Sequence, residues 1–383
     1  MAHHDSSSGE VQSRDRECDH QKELYNLDST RLYVPGRIKM KCLALIPAHN
    51  ETHNIEAAIR GVQNQTTPLD ILVVCDNCQD DTATKATSMG VKVFETRNNT
   101  HKKAGALNQA LAQVLDQYDF IMIQDADTVL APNLMTIAIR QLEDRNIGAV
   151  CSRAGVKDIC PMTWKEEFFW RMQRIEYGIF DSSRIETLGS IKVLHGMCTV
   201  YRTEALREVK ARSGRIYDEQ NITEDYELTI CLKELGWKVT ACLEMKAWTV
   251  VPLSLSELWT QRVRWFRGGV DVLRTHGLNR ITASEFVQHG LFITLTSLNL
   301  IIMIALGYLI ASGKALDISP LFWVVIGITT LDGLYRLRYV EHLHPKEILL
   351  RLLIVPFSLY MQLYQFQQLW AYWLSIRKNN QEW

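Results

Sequence analysis

Carboxylates, a guanidinium and an indole recur in three short clusters: Asp125-Ala126-Asp127, Thr223-Glu224-Asp225 and Gln261-Arg262-Val263-Arg264-Trp265. Asp125 and Asp127 flank one small residue directly after the apolar run Phe120-Ile121-Met122-Ile123. Carboxylate oxygens suit Mg2+ or Mn2+, ions that keep several waters and bind substrate phosphates. Such an ion acts as a Lewis acid on a departing diphosphate. Asp225 can serve as general base toward an acceptor hydroxyl if neighbouring cations keep it ionised. The same triplet also reads as the acidic first turn of a helix over 226–235, and both roles can hold together. Glu224 is expected to orient rather than to react. Gln261, Arg264 and Trp265 stand at i, i+3 and i+4 and so share one helix face. Leu255, Trp259, Val263, Phe266 and Val270 are expected on the opposite, core-facing side. An arginine fork can neutralise phosphate, and an indole offers a flat apolar face to a sugar ring. A basic, membrane-proximal helix with an interfacial Trp is the alternative for this last cluster.

These side chains need a frame, and a strand–helix alternation begins near residue 41. Cys42–Ile46, Ile71–Val74, Val91–Phe94 and Phe120–Ile123 are short apolar runs that predict strands. Ile55, Ala58, Ile59 and Val62 fall at helical spacing behind Asn50 and Thr52, Asp80-Asp81-Thr82 can start a second helix, and 102–115 predicts a third. Such alternation implies an α/β fold with a largely parallel sheet and helices on both faces. Ligands then bind beyond the carboxyl ends of the strands. Pro47–Glu51, Asp76 and Asp125–Asp127 all fall at such ends. No G-x-G-x-x-G turn follows any strand, which argues against a dinucleotide-binding oxidoreductase.

The chain of 383 residues exceeds one ordinary core, so two structural units are expected. Its 42 basic and 43 acidic residues nearly cancel, giving no reason to expect a nucleic-acid partner. Residues 1–36 are polar and predict a disordered or loosely held tail without a signal peptide. Nine cysteines without regular spacing suggest a reduced, cytosolic compartment. Cys75 and Cys78 form a CxxC without a second ligand pair, which reads as incidental thiols at a strand end. The stripe Trp164, Phe168, Met172, Ile175 and Ile179, with Arg171 and Arg174 among it, fits either a core-facing helix or one in the membrane interface.

After about residue 285 long uncharged runs dominate. Leu291–Ile310 has 20 residues without a charge, enough to cross a bilayer. Ile318–Leu331 is shorter. Leu352–Ile376 is long but carries Gln362, Gln365, Gln367 and Gln368, amides that are costly in lipid, so it either spans with its glutamines against protein or lies partly in the interface. Arg262, Arg264, Arg267, Arg274 and Arg280 precede the first run, Arg336, Arg338, Lys346 and Arg351 follow the second, and the 312–317 loop has only Lys314. This bias predicts an integral membrane protein with its catalytic part cytoplasmic. Arg377-Lys378 argues mildly against a third full crossing.

The ordered set of motifs resembles the family 2 glycosyltransferases, in particular the membrane-integrated, often processive branch with the cellulose, chitin, hyaluronan and poly-N-acetylglucosamine synthases. The resemblance covers roughly residues 41–285. It implies a GT-A fold, Rossmann-like and mostly parallel, and inversion at the anomeric carbon. Pro47-Ala48-His49-Asn50-Glu51 matches the family's opening Pro-x-x-Asn-Glu, which implies donor contacts near Pro47, His49 and Glu51. Asp76 matches the aspartate that holds the nucleoside. Lys103-Ala104-Gly105-Ala106-Leu107-Asn108 matches a Lys-x-Gly-Ala-Leu-Asn stretch, placing Lys103 near donor phosphates. Asp125 is implied on the donor side and Asp127 as the metal-binding member of the pair. Asp225 matches the catalytic base, with Glu224 on the acceptor side. Gln261, Arg264 and Trp265 match the Q-x-x-R-W motif near acceptor and diphosphate. His195 and Gly196 resemble the segment lining the acceptor path. His49 stands where Tyr or Phe is common, and Lys102 replaces a frequent Gly. No N-terminal membrane helices precede the match, which leaves few helices for a polymer channel.

The expectation is therefore a catalytic domain over 37–285 and a membrane domain over 286–383. It would transfer a sugar from a UDP-sugar, with Mg2+ or Mn2+, to a saccharide or lipid acceptor among membrane lipids. The favoured product is a β-linked polysaccharide. Single-sugar transfer to a lipid or small acceptor is the runner-up. An inactive scaffold with this fold and a transporter are the readings of other classes.

Overall fold

Apolar and β-branched runs build one eight-stranded sheet in the computed structural model, which describes residues 40–160, 163–186, 191–313 and 320–377. The expected 1–36 tail and Lys314 lie outside them. The first half alternates as predicted: β1 (Cys42–Ala48), α1 (Ile55–Gln63), β2 (Asp70–Cys75), α2 (Thr82–Ser88), β3 (Lys92–Glu95), α3 (Lys102–Val114) and β4 (Phe120–Gln124). Then come β5 (Val129–Leu130), α4 (Leu134–Gln141), β6 (Ile147–Val156), α5 (Trp164–Glu186), β7 (Cys198–Arg202), α6 (Thr203–Ser213), α7 (Glu224–Glu234) and β8 (Lys238–Thr249). The helices α8 (Leu255–His276), α9 (Ala283–Ala311), α10 (Pro320–Arg336), α11 (Pro345–Leu352) and α12 (Val355–Arg377) complete it.

The sheet runs β3-β2-β1-β4-β7-β6-β8-β5. The first four strands are parallel, whereas β7 enters antiparallel to both β4 and β6. Strand β1 is buried on both faces, as its near-continuous apolar sequence requires. Its alternate residues serve two cores: Cys42, Ala44, Ile46 and Ala48 on one side, Leu43 and Leu45 on the other. Each fully buried aliphatic side chain contributes roughly 1.5–3 kcal/mol, so a one-residue register slip that exchanged these sets is strongly disfavoured.

Pairing of β1 with β4 stops at Leu45↔Ile123, while pairing with β2 continues to Ala48↔Cys75. Pro47 sits in that one-sided stretch, where its missing N–H leaves no ladder bond unmade. The strands thus part at their carboxyl ends, and the crevice opens where residues 49–51, 76–77 and 125–127 follow β1, β2 and β4.

Helix α5 resolves its two readings in favour of the protein interior. Met172 and Ile175 are buried with Leu258, Leu337, Val340, Phe357 and Tyr360. Arg174 donates from Nε to Glu347 Oε1 at 2.7 Å and Arg171 from Nη1 to the same oxygen at 3.2 Å. The arginines that suggested an interfacial helix therefore pair with a carboxylate of α11. The amino end, with Trp164 74% exposed, stands away from the core.

Among the described residues one helix, α9, is long and apolar enough to cross a membrane, with a mean hydropathy of 2.1 and nearly all of its side chains on the outside. Helices α11 and α12 pass the same test only as a pair bent by 76°. Helix α12 lies against α8, where Phe266 meets Tyr364 edge to face at 4.6 Å and Arg274 Nη1 donates to the Ser375 carbonyl at 2.6 Å. Its glutamines follow the protein-facing option: Gln367 is buried and Gln362 Nε2 donates to Asn299 Oδ1 at 3.2 Å.

The expected core face of α8 requires correction. Leu255 is 49% exposed, and the buried positions are Leu258, Arg262, Arg267, Gly268, Val272 and Leu273. Helix α8 is wedged between α5 and α12, so its inward face is chosen by two neighbours, and a buried ion pair with Glu176 accommodates Arg262 there. Several charges counted toward membrane orientation are likewise engaged within the protein. Arg262 pairs with Glu176, Arg267 with Asp271, Arg336 with Asp332 and Lys346 with Glu167.

Among the described residues seven cysteines are free thiols, with Cys75 buried and Cys78 donating to the Ala48 carbonyl at 3.3 Å. Cys160 is disulfide-bonded, which runs against the expectation of a reduced compartment.

Candidate active site

Lys103 is the hub of the crevice. Its Nζ donates to Asp125 Oδ1 at 2.5 Å and stands 3.4 Å from Glu224 Oε1. Burial alone would lower its pKa, but Asp125 and Glu224 overcome that and hold the ammonium protonated, well above its ordinary range. Lys103 reaches this position because the chain enters α3 through Lys102, whose φ is +50°. An L-residue in that region costs about 1–2 kcal/mol. The left-handed φ explains why a glycine is common here in the family, and it locates local strain beside the site.

Gly196 joins the two acidic clusters. Its N–H donates to Asp225 Oδ2 at 3.2 Å, and its carbonyl accepts from the Asp125 N–H at 3.2 Å. A Cβ added at Gly196 would lie 2.7 Å from Lys103 Nζ and 3.0 Å from Asp125 Oδ2. Only a residue without a side chain lets the ammonium, both carboxylates and the 196 backbone converge. The neighbouring His195 is held by Nε2 at 3.0 Å from the Ser152 carbonyl.

Asp225 opens α7, where Oδ1 accepts from the Tyr226 N–H at 2.8 Å. Burial raises its pKa first and the Glu224 charge raises it further; Lys103 opposes both, and the result is about 7. A carboxylate so poised is half ionised near neutrality and can accept a proton there. Helix α8 packs onto the start of α7 through Gly268, where a Cβ would meet Thr223 Cγ2 at 2.4 Å. The Q-x-x-R-W helix is thereby set against the turn that presents Asp225.

Asp127 lies across the crevice. Its Oδ1 accepts from Thr249 Oγ1 at 3.0 Å and Thr128 Oγ1 at 3.3 Å. Burial, then the charges of Asp125 and Glu51, push its pKa up to about 6. Asp127, with the charges of Asp125 and Glu51 acting on it, offers carboxylate oxygen to a cation.

On the β1–β2 side, Asp76 is buried, with Oδ1 accepting from Asn99 Nδ2 at 2.7 Å, Thr96 Oγ1 at 2.9 Å and Asn77 Nδ2 at 3.0 Å. His49 Nδ1 meets the Asp76 carbonyl at 2.6 Å, and the Glu51 N–H donates to Thr82 Oγ1 at 2.8 Å. Pro47 is different: its ring is buried inside β1, so it shapes the strand end rather than offering a surface.

The Q-x-x-R-W residues divide. Arg264 stands near Lys102, whose pKa is lowered by burial and then by the Arg264 charge. Two cations that repel each other at a crevice rim favour an anion between them. Trp265 is 37% exposed, with the Arg262 guanidinium 4.2 Å from its ring centre. Gln261 accepts from Arg262. Arg262 itself, fully buried, reaches Glu176 at 3.0 Å, and Glu176 also accepts from the Tyr360 hydroxyl. This Arg262–Glu176–Tyr360 relay went unread in the sequence. Its signal was a glutamate four residues after Met172 in an otherwise apolar stripe. Asn108, the last residue of the Lys103 motif, is structural: its Nδ2 donates to the Tyr217 carbonyl at 2.8 Å and to Glu219 Oε1 at 3.0 Å.

Residues 44–210 match the model of Glycosyl transferase family 2. The chain is 28% identical over 237 residues to the poly-beta-1,6-N-acetyl-D-glucosamine synthase of Staphylococcus aureus (strain COL), covering 60% of this chain and 54% of that protein. The enzyme of the same name from Staphylococcus epidermidis is 26% identical over 244 residues, again 60% of this chain and 54% of the relative. The chain thus spans about half the length of the curated relatives it matches. Among solved structures, the mannosyltransferase PcManGT from Pyrobaculum calidifontis, in complex with GDP-Man and Mn2+, superposes with a TM-score of 0.57 at 15% identity, covering 98% of this chain and 97% of that one. That likeness concerns the fold, a GT-A sheet followed by carboxyl-terminal helices. Residues 44–210 are a family 2 glycosyl transferase domain.

Proposed function

We propose that this chain moves a sugar from a nucleotide diphosphate donor to a saccharide acceptor beside a membrane, with inversion, and extends a β-linked polysaccharide of N-acetylhexosamine type. The chain of contacts from Glu224 through Lys103, Asp125 and Gly196 to Asp225 carries the proposal. The names of the two staphylococcal relatives support the choice of sugar. Residues 37–285 form the catalytic unit and 286–383 the membrane unit. The exposed apolar length of α9 supports a membrane location, and a cytoplasmic site agrees with a supply of nucleotide sugars.

Asp76, with His49 and Glu51 behind it, holds the nucleoside. Lys103 and Arg264 neutralise the diphosphate. The donor set at Asp127, with Asp125 and Glu51 close by, fits Mg2+ or Mn2+, which would supply Lewis acidity toward the leaving group. Asp225 takes the proton from the acceptor hydroxyl, whose oxygen then attacks the anomeric carbon in line. Gln261, Trp265, His195 and Glu224 line the acceptor side. Glu224 also steadies Lys103, so its role is shared.

The test is a donor panel of UDP-N-acetylglucosamine, UDP-glucose, UDP-glucuronate and GDP-mannose on membranes containing the protein, read by product mass. A ladder of N-acetylhexosamine units is expected. One sugar per acceptor would end the polymer reading, and transfer from GDP-mannose alone would overturn the UDP donor. Asp127→Ala should abolish metal dependence; an unchanged metal titration would remove Asp127 from that role.

A further inference from the structure

Between the helix that presents Asp225 and the carboxyl end of α8, three metal-ligating side chains of different chemistry meet. Glu227 and Cys231 stand one turn apart on α7, and His276 is the last residue of α8. Their ligand atoms all lie within 4.8 Å of one another. Cys231 Sγ is 3.0 Å from Glu227 Oε1, and Glu227 Oε1 is 3.6 Å from His276 Nε2. A tetrahedral zinc with ordinary bond lengths of about 2.0–2.3 Å separates its ligands by roughly 3.3–3.6 Å, so small side-chain shifts suffice.

The second nitrogen of the imidazole is also arranged as a metal ligand's would be. His276 Nδ1 is 3.0 Å from Glu234 Oε1, which leaves Nε2 facing Glu227. Glu234 is anchored by Arg212 Nη2 at 2.7 Å and Asn279 Nδ2 at 2.9 Å. A carboxylate behind a histidine sets its tautomer and raises its basicity toward a metal. Glu227 and Cys231 are buried, and three protein ligands leave the fourth tetrahedral position to a water. We propose that Glu227, Cys231 and His276 bind one zinc-type dication that clamps α7 to α8.

Binding releases the Cys231 thiol proton to solvent. Charge then balances: the dication offsets Glu227 and the thiolate, and Arg212 offsets Glu234, with His276 neutral. The clamp joins the helix that begins with Glu224-Asp225 to the one that carries Gln261, Arg264 and Trp265. The competing occupant is a proton, since Glu227 and Glu234 raise the pKa of His276 and favour an imidazolium in the same place.

Cobalt(II) titration of the full chain in detergent, with excess Mg2+ to fill carboxylate sites, separates the two. A thiolate–cobalt charge-transfer band should grow to one equivalent and vanish on adding Zn2+. Carboxylates alone cannot give that band. Cys231→Ser and His276→Gln should each remove it. Absence of the band in the wild type, or its survival in either folded variant, overturns the proposal. If the variants do not fold, mass-spectrometric mapping of alkylation decides: Zn2+ must slow labelling of Cys231 at least tenfold in the wild type, and an unchanged rate overturns the site.

Discussion

The crevice edge of the sheet and the helical layer of α8 and α12 use charge in opposite ways. At the crevice, Asp125, Asp127, Glu224 and Asp225 are crowded until two of them have raised pKa values, and Lys103 is the cation whose contacts tie Asp125 to Glu224. In the helical layer several charges meet partners within the protein. Arg262 pairs with Glu176, Arg267 with Asp271, and Ser375 bridges Arg274 and Asp271. Unbalanced charge marks a place built to receive a charged ligand, and balanced charge marks a joint between elements. The motif Gln261–Trp265 belongs to both regions, since Arg264 faces the crevice while Arg262 faces the joint.

The largest expected effect comes from the crevice. Asp225→Asn should lower kcat by about 10³-fold or more, because a positioned general base is lost, while donor affinity stays near wild type. Loss of nucleotide binding, measured by calorimetry, would instead make Asp225 a donor ligand and blur the distinction between the two sides of the crevice. Gly196→Ala comes next. Its Cβ must push Lys103 or Asp125 aside, and a displacement approaching 1 Å costs on the order of 10²-fold in kcat/KM. Wild-type kinetics in that variant would mean that Lys103 is not held where the chemistry occurs.

The joint should respond in stability before it responds in chemistry. Arg262→Ala strands Glu176 and should destabilise the protein by about 3 kcal/mol, seen as a lower denaturation midpoint. The double variant Arg262→Met with Glu176→Leu should recover most of that loss. If the single variant is as stable as wild type but inactive, Arg262 belongs to the catalytic side after all. The mildest expected effect is with pH. Asp225 ionises near 7, so kcat should fall at most tenfold per unit as the pH drops below that value and level off above it. Asp225→Glu, whose carboxylate reaches further, should shift the limb. A flat profile from 5.5 to 8 would show that Asp225 does not limit turnover.

Much of the catalytic frame was legible because it is local. An apolar run followed at once by carboxylates, as in Ile121–Asp127, carries both the strand and the reason its end is polar. The strands β1 to β4 and the helices α1 to α3 follow from period and punctuation within a dozen residues. The face of α8 was not legible, because Leu255, Trp259 and Val263 are as apolar as Leu258 and Val272. Which set is buried depends on α5 and α12, whose positions no local pattern encodes. Hydropathy marked both α9 and α12 as apolar, and only the glutamines of α12 left its span open; α12 docks on α8 through Tyr364 and Ser375 while α9 leaves its apolar side chains outside.

By itself the amino-acid order determined the elements of the sheet, the placement of polar motifs at strand ends and the chemical types available to the site. Folding decided which of those types meet. Lys103 with Glu224, Gly196 with Asp225, Thr249 with Asp127 and Glu176 with Arg262 are pairs distant in sequence. Propensity and periodicity act over a few residues, but burial, charge coupling and a glycine's clearance arise only when separate elements are packed against one another.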